Sequence, residues 1–70
     1  MPTERRITVN GAVHACPAGS TVDDLLRLLD LPSSRVAVER NRRIVRREER
    51  SALAVEDGDV YEIVAFVGGG

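Results

Sequence analysis

The segment Arg6-Ile7-Thr8-Val9-Asn10-Gly11 decides the fold. Its first four residues alternate polar and apolar and are rich in β-branched side chains, the pattern of a half-buried strand. Asn-Gly directly behind such a run is the strongest short-range signal for a two-residue hairpin turn. A returning strand is therefore expected over residues 12–16, with Val9 opposite Ala12. Period-2 alternation then sets His14 and Cys16 on the same face as Ile7 and Val9. Cys16 is expected in the core, where a free cysteine behaves as a small hydrophobe. His14 is expected on its strand near the core edge; with one histidine and one cysteine in the chain, a cysteine zinc site is excluded.

Outward from the hairpin, Pro17-Ala18-Gly19 breaks the second strand, and Ser20 or Thr21 is placed to cap a helix. Asp23 and Asp24 fall in its first turn, where negative charge meets the positive end of the helix dipole. Val22, Leu25, Leu26, Leu28 and Leu29 read as one apolar stripe, the only one of its kind in the chain, and Pro32 is expected to bound the helix. Arg35-Val36-Ala37-Val38-Glu39 reads as a third strand, Asn41-Arg42-Arg43 as a turn, and Ile44-Val45 as a short strand at the sheet's edge. Arginines around it suit an edge that must not pair with other chains. Residues 46–52 are expected to hold at most a helical turn, with Leu53 and Val55 as apolar anchors, and Glu56-Asp57-Gly58-Asp59 is a turn.

The last strand, Val60-Tyr61-Glu62-Ile63-Val64-Ala65-Phe66-Val67, has two distinct faces. Glu62 is costly to bury unpaired, so its face is expected to meet solvent. That leaves Val64 and Phe66 exposed, an apolar pair expected to dock a partner. Gly68, Gly69 and Gly70 follow at once. Residues without a Cβ hold no single conformation, so packing is not the purpose of such a run. It can enter a channel too narrow for side chains, and a terminal carboxylate, with a reference pKa of roughly 3.3 to 3.7, is an ionised nucleophile at neutral pH. Read from the residues alone, the run is either a frayed end or a functional arm. The division is a domain over residues 1–67 and a flexible tail over 68–70.

Composition narrows the classes. Seventy residues make one small domain. The lone cysteine fits a reducing compartment, no stretch approaches the length of a membrane helix, and no basic-then-apolar leader precedes the first strand, so a cytoplasmic protein is expected. Ten basic and eleven acidic residues nearly cancel, which disfavours nucleic acid as the main partner. All ten basic residues are arginine, seven of them between positions 35 and 50. With glutamates interspersed and only Tyr61 and Phe66 aromatic, this stretch is expected to be a solvated, partly ion-paired face. There is no Ser/His/Asp or Cys/His set, no phosphate-binding glycine loop and no metal cluster in the sequence, so no catalytic or metal residue is assigned.

Hairpin, helix, strand, short strand, turn, final strand and Gly-Gly, in that order, resemble an α+β fold, the β-grasp or ubiquitin-like fold: a mixed sheet of four to five strands crossed by one main helix. More closely, the chain resembles the ThiS family of bacterial sulfur carriers of thiamine biosynthesis, within the ubiquitin-like ThiS/MoaD carriers. The pieces that carry the resemblance are Ile7-Thr8-Val9-Asn10-Gly11, Gly19-Ser20-Thr21-Val22-Asp23-Asp24-Leu25-Leu26, Val36-Ala37-Val38-Glu39-Arg40-Asn41 with Ile44-Val45, Asp57-Gly58-Asp59, and Glu62-Ile63-Val64 running into Phe66-Val67-Gly68-Gly69-Gly70. The third terminal glycine, the arginine-rich segment and the absence of lysine depart from the family pattern.

The resemblance implies a co-substrate, not an enzyme. An adenylating (ThiF-like) enzyme would use ATP and Mg²⁺ to activate the carboxylate of Gly70. A cysteine desulfurase or rhodanese-like sulfur donor would then supply the sulfur of a thiocarboxylate, and a ThiG-like thiazole synthase would collect it. The carrier itself would bind no cofactor and be a monomer when free, with Gly68 and Gly69 supplying reach. The competing readings are a carrier for molybdopterin, cysteine or tRNA thiolation, a ubiquitin-like protein modifier, and a plain interaction module.

Overall fold

The computed structural model describes residues 3–66. Strands β1 (Glu4–Val9) and β2 (Ala12–Pro17) form the expected hairpin, with Val9 opposite Ala12 and Ile7 opposite His14. Asn10 and Gly11 both take positive φ, +50° and +85°, as a two-residue turn matched to strand twist requires. Helix α1 (Val22–Leu28) follows, then β3 (Val36–Arg40), β4 (Arg43–Val45) and β5 (Val60–Ala65). Single 3₁₀ turns occupy Ser33–Arg35 and Arg47–Glu49. The strands make one sheet in the order β2-β1-β5-β3-β4, with β1 and β5 parallel at its centre and the other pairs antiparallel. A mixed sheet crossed by one helix is the β-grasp arrangement.

Thr21, rather than Ser20, caps the helix. Its hydroxyl accepts from the Asp24 N–H at 3.2 Å, and the Asp24 carboxylate accepts from the Thr21 N–H at 3.0 Å, a reciprocal pair that satisfies two of the helix's free donors. Ser20 is buried and donates instead to the Pro17 carbonyl at 2.7 Å. At the other end the stop is Asp30 and not Pro32. Asp30 takes φ +59°, its N–H reaches the Arg27 carbonyl, and the Leu31 N–H reaches back to Leu26 at 2.8 Å. That pair of bonds is a Schellman closure, with an aspartate at the left-handed position usually held by glycine.

The core lies between α1 and one face of the sheet: Val22, Leu25 and Leu26 pack with Ile7, Val9, Cys16, Val36, Val38, Val45, Val55, Tyr61 and Ile63. Cys16 is fully buried and His14 half-buried, where the hairpin register puts them. Leu53 packs partly on the core. Leu28, read from sequence as part of the stripe, is instead 55% exposed. At 3.6 residues per turn it projects roughly a third of a turn from the line through Val22, Leu25, Leu26 and Leu29, past the edge of the buried face.

A second correction concerns the arginine-rich stretch. Arg50 is 4% exposed, not solvated. Its guanidinium donates to the Ser33 carbonyl at 2.7 Å, the Ser33 hydroxyl at 3.0 Å and the Val36 carbonyl at 3.1 Å. It thereby ties the segment before β5 to the start of β3. No carboxylate pairs with it among the described residues, and its Nε is buried with no acceptor. Arg35, Arg42, Arg43, Arg46 and Arg47 are exposed as expected, and Arg40 is half-buried in an ion pair.

Candidate functional site

The sheet face turned away from α1 carries the candidate site, and β5 organises it. Along β5 the side chains alternate: Tyr61 and Ile63 are buried, whereas Val60, Glu62 and Val64 are exposed. Val64 is 63% and Phe66 58% exposed, so the two residues picked from sequence stand on the open face. Val64 lies opposite Ala37, and Ile44 (68% exposed) lies opposite Glu39 on the next strand pair. An open groove of about 480 Å³ runs from Ile44 to Phe66 along the edge of β3 where β4 ends, its walls including Ala37, Arg46, Arg47 and Arg50. Ile44 was not singled out from sequence as a site residue, because a short edge strand gave no reason to prefer one face.

Glu62 confirms the reasoning that placed β5, but it has a neighbour the sequence did not reveal. Glu39 lies directly opposite it across the β3–β5 pair. Like charges directly opposite each other destabilise a sheet. The centre of the open face is therefore acidic, β4 adds the apolar Ile44 beside it, and Arg46 and Arg47 stand on the segment that follows β4.

Two asparagines hold β5 in place. β1 stops pairing through its backbone at Asn10, whose N–H donates to the Tyr61 carbonyl at 2.9 Å. Its side-chain amide then continues the ladder: Nδ2 donates to the Ile63 carbonyl at 3.0 Å, and Oδ1 accepts the Ile63 N–H at 2.8 Å. Asn41, also at φ +50° in the β3–β4 turn, does the same from the opposite side. Its backbone N–H donates to the Val60 carbonyl at 2.7 Å and its Oδ1 accepts the Val60 N–H at 2.9 Å. Each turn thus supplies a side chain that mimics a strand backbone, and β5 is fixed along its length.

Asp59 anchors the start of β5. It is 5% exposed, and its carboxylate accepts from Arg40 Nε at 2.8 Å, Asn41 Nδ2 at 3.1 Å, the Glu56 N–H at 2.8 Å and the Tyr61 hydroxyl at 2.9 Å. Burial alone would raise its pKa, but these four donors outweigh burial and hold it below the usual carboxylate range. The Tyr61 phenol moves the other way, raised first by burial and then by its bond to Asp59, and stays protonated. From sequence alone Asp59 reads as a turn residue. The cluster is structural, since it is buried beneath the strand that presents Val64 and Phe66.

Phe66 is the last described residue, and its N–H donates to the Arg35 carbonyl at 2.8 Å. Gly68, Gly69 and Gly70, the expected carrier tail, lie outside the described residues, as does Val67 at the end of the expected domain. No group of three or more histidine, cysteine or carboxylate side chains that could hold a metal occurs among the described residues. No helix among them is long and apolar enough to cross a membrane.

The family model described as ThiS family matches residues 7–70. The chain belongs to the ThiS family. It is similar to the sulfur carrier protein ThiS of Bacillus subtilis, 46% identical over 50 residues, covering 71% of this chain and 76% of that protein. Against the sulfur carrier protein ThiS of Escherichia coli the figures are 35% over 65 residues, with 93% and 98% covered. A thiazole synthase of Paramagnetospirillum magneticum is 46% identical over 65 residues, 93% of this chain but 20% of that protein. The chain thus spans about a fifth of the length of the thiazole synthases it matches. Among solved structures, the thiamine biosynthesis protein ThiS of Geobacter metallireducens superposes with a TM-score of 0.75 at 36% identity, covering 93% of this chain and 99% of that one. The ThiS family and its β-grasp fold are therefore those expected from the order of motifs.

Proposed function

We propose that this ThiS-family chain is the sulfur carrier of thiamine biosynthesis, a co-substrate passed between enzymes and not itself a catalyst. The observation that carries this reading is the presentation of β5: a strand fixed on both sides leaves Val64, and Phe66 just after it, exposed immediately before the glycine run of the sequence at 68–70. The four residues from Val67 to Gly70 span at most about 14 Å, enough to carry the terminal carboxylate into a narrow enzyme channel while the open face stays docked.

In this reading a ThiF-like enzyme adenylates the Gly70 carboxylate with ATP and Mg²⁺, which that enzyme binds and the carrier does not. The acyl phosphate–oxygen linkage turns a poor acyl donor into a good one. A persulfide sulfur from a cysteine desulfurase or rhodanese-like donor attacks the acyl carbon and AMP leaves. Reductive cleavage of the resulting acyl disulfide by a thiol leaves the thiocarboxylate on Gly70. Thiazole synthase then takes the sulfur. Relatives named thiazole synthase that contain a stretch similar to this chain support that last pairing, since two parts of one polypeptide work at high effective concentration. These steps are those of a cytoplasmic carrier, monomeric between encounters.

Deleting Gly68 to Gly70 together tests the reading: sulfur loading is expected to vanish with thermal stability nearly unchanged. Normal loading of the shortened chain would overturn it. Stable pairing with a molybdopterin synthase large subunit, and none with thiazole synthase, would move the carrier to the other branch. Attachment to lysines of other proteins would make it a modifier.

A further inference from the structure

The arginine-rich segment is the sequence feature that sulfur carriage leaves unused, and the fold gives it a place. The groove between Phe66 and Ile44 is walled by Arg46, Arg47 and Arg50 against one carboxylate, Glu48. Arg46 and Arg47 are exposed, and neither makes an ion pair among the described residues. Arg50 beneath them is a buried cation held by carbonyls and the Ser33 hydroxyl, which passes on to Asp23, and it makes no direct ion pair among the described residues. Arg43 lies opposite Arg40 on the α1 side of the sheet, so Arg46 and Arg47 are the exposed cations of this groove. The chain as a whole carries a formal charge of −1, so this concentration is local and is offset elsewhere.

We propose that the groove receives an acidic segment of a partner protein, an apolar side chain flanked by carboxylates. The apolar tip would sit between Ile44 and Phe66, with the carboxylates against Arg46 and Arg47. Guanidinium forks match carboxylates bidentately, which a lysine border would not do. A nucleic acid fits less well. The Glu39–Glu62 pair at the centre of the same face would repel a continuous phosphate backbone, and Phe66 is the one aromatic side chain on that face to stack a base. Discrete carboxylates at the border avoid that repulsion. The inference deepens the carrier reading by giving the chemistry of the surface that meets the groove, and rests on it only for which enzyme bears that surface.

Two probes test it. The first is a short synthetic peptide with a leucine between paired glutamates, titrated into the ¹⁵N-labelled chain, with a lysine-flanked version and a uridine-rich RNA oligonucleotide alongside. Amide shifts at Ala37, Ile44 and Phe66 are expected with the acidic peptide alone, and are expected to disappear in Arg46→Glu/Arg47→Glu. Shifts there from the RNA, or from the lysine peptide as readily, would overturn the inference. So would an acidic peptide that leaves these amides unmoved.

The second probe is the rate of association with a ThiF-like adenylating enzyme, measured at low and high salt. Charge reversal at Arg46 and Arg47 is expected to slow association about tenfold at low salt and to flatten the salt dependence. Arg46→Ala/Arg47→Ala, which introduces no repulsion with Glu48 and Glu49, is expected to give a smaller loss in the same direction. An unchanged rate in both variants while Phe66→Ala still weakens binding would refute the basic border and leave docking intact. A wild-type chain that binds the acidic peptide but not the enzyme would refute the carrier reading and leave the groove's chemistry intact.

Discussion

Replacing Asn10 by glycine separates the two roles that residue plays. As a turn residue it needs only to tolerate φ +50°, which glycine does more easily than asparagine. As a strand mimic it supplies both partners of Ile63, at 2.8 and 3.0 Å. Removing the side chain deletes two hydrogen bonds worth about 1 kcal/mol each net and leaves a partly buried N–H and C=O to find water. Added backbone freedom in the unfolded chain brings the expected loss to roughly 2 to 3 kcal/mol. For a domain of this size that lowers Tm by roughly 10 to 20 °C. The assay is thermal unfolding followed by circular dichroism, with hydrogen exchange at the Ile63 amide as the local readout. Accelerated exchange at Ile63 beyond that of Tyr61 is expected. A Tm within a few degrees of wild type and an Ile63 amide still protected would refute the idea that a side chain completes the β1–β5 ladder.

The faces of β5 give a paired expectation. Ile63→Ala empties a buried site and should cost about 2 to 5 kcal/mol, whereas Phe66→Ala, on the open face, should weaken partner binding with little change in Tm; the opposite pattern would mean that the strand's faces are inverted. Arg50→Met keeps the volume but strips three hydrogen bonds from Ser33 and Val36, and should cost roughly 2 to 3 kcal/mol by chemical denaturation; a neutral or stabilising effect would show that desolvating the guanidinium costs as much as its bonds return. Asp59 has a depressed folded-state pKa, so its contribution is fully present above the unfolded value of about 3.9 and is lost as pH falls through that value toward the folded one. Unfolding free energy measured from pH 6 downward is therefore expected to fall less steeply in Asp59→Asn than in wild type, and equal slopes would contradict the burial of an ionised Asp59.

What could be read in advance was local or periodic. Val9 opposite Ala12, Cys16 in the core and the leucine helix all follow from alternation and turn chemistry within a few residues. The orientation of β5 followed from a single costly side chain, Glu62, whose face had to be wet. What escaped depends on neighbours distant in sequence. Asn10 meets Ile63 across 53 residues, and nothing in an Asn-Gly turn announces that contact. Asp59 looks like any turn carboxylate until β3 brings Arg40 and Asn41 to it. Arg50 sits in a charged run that reads as solvated, and is buried because Ser33 and Val36 turn their carbonyls toward it. An asparagine in each of two turns, both at positive φ, is the signal that could have hinted at the ladder.

Sulfur carriage itself comes down to the chemistry of one carboxylate. Intact mass spectrometry of the chain after incubation with magnesium-ATP, an adenylating enzyme and a persulfide-forming desulfurase reads it directly. The expected result is a gain equal to the difference between a sulfur and an oxygen atom, located by fragmentation on Gly70 and absent from a chain lacking Gly68 to Gly70. An unchanged mass, under conditions that load the sulfur carrier protein of Escherichia coli, would contradict it.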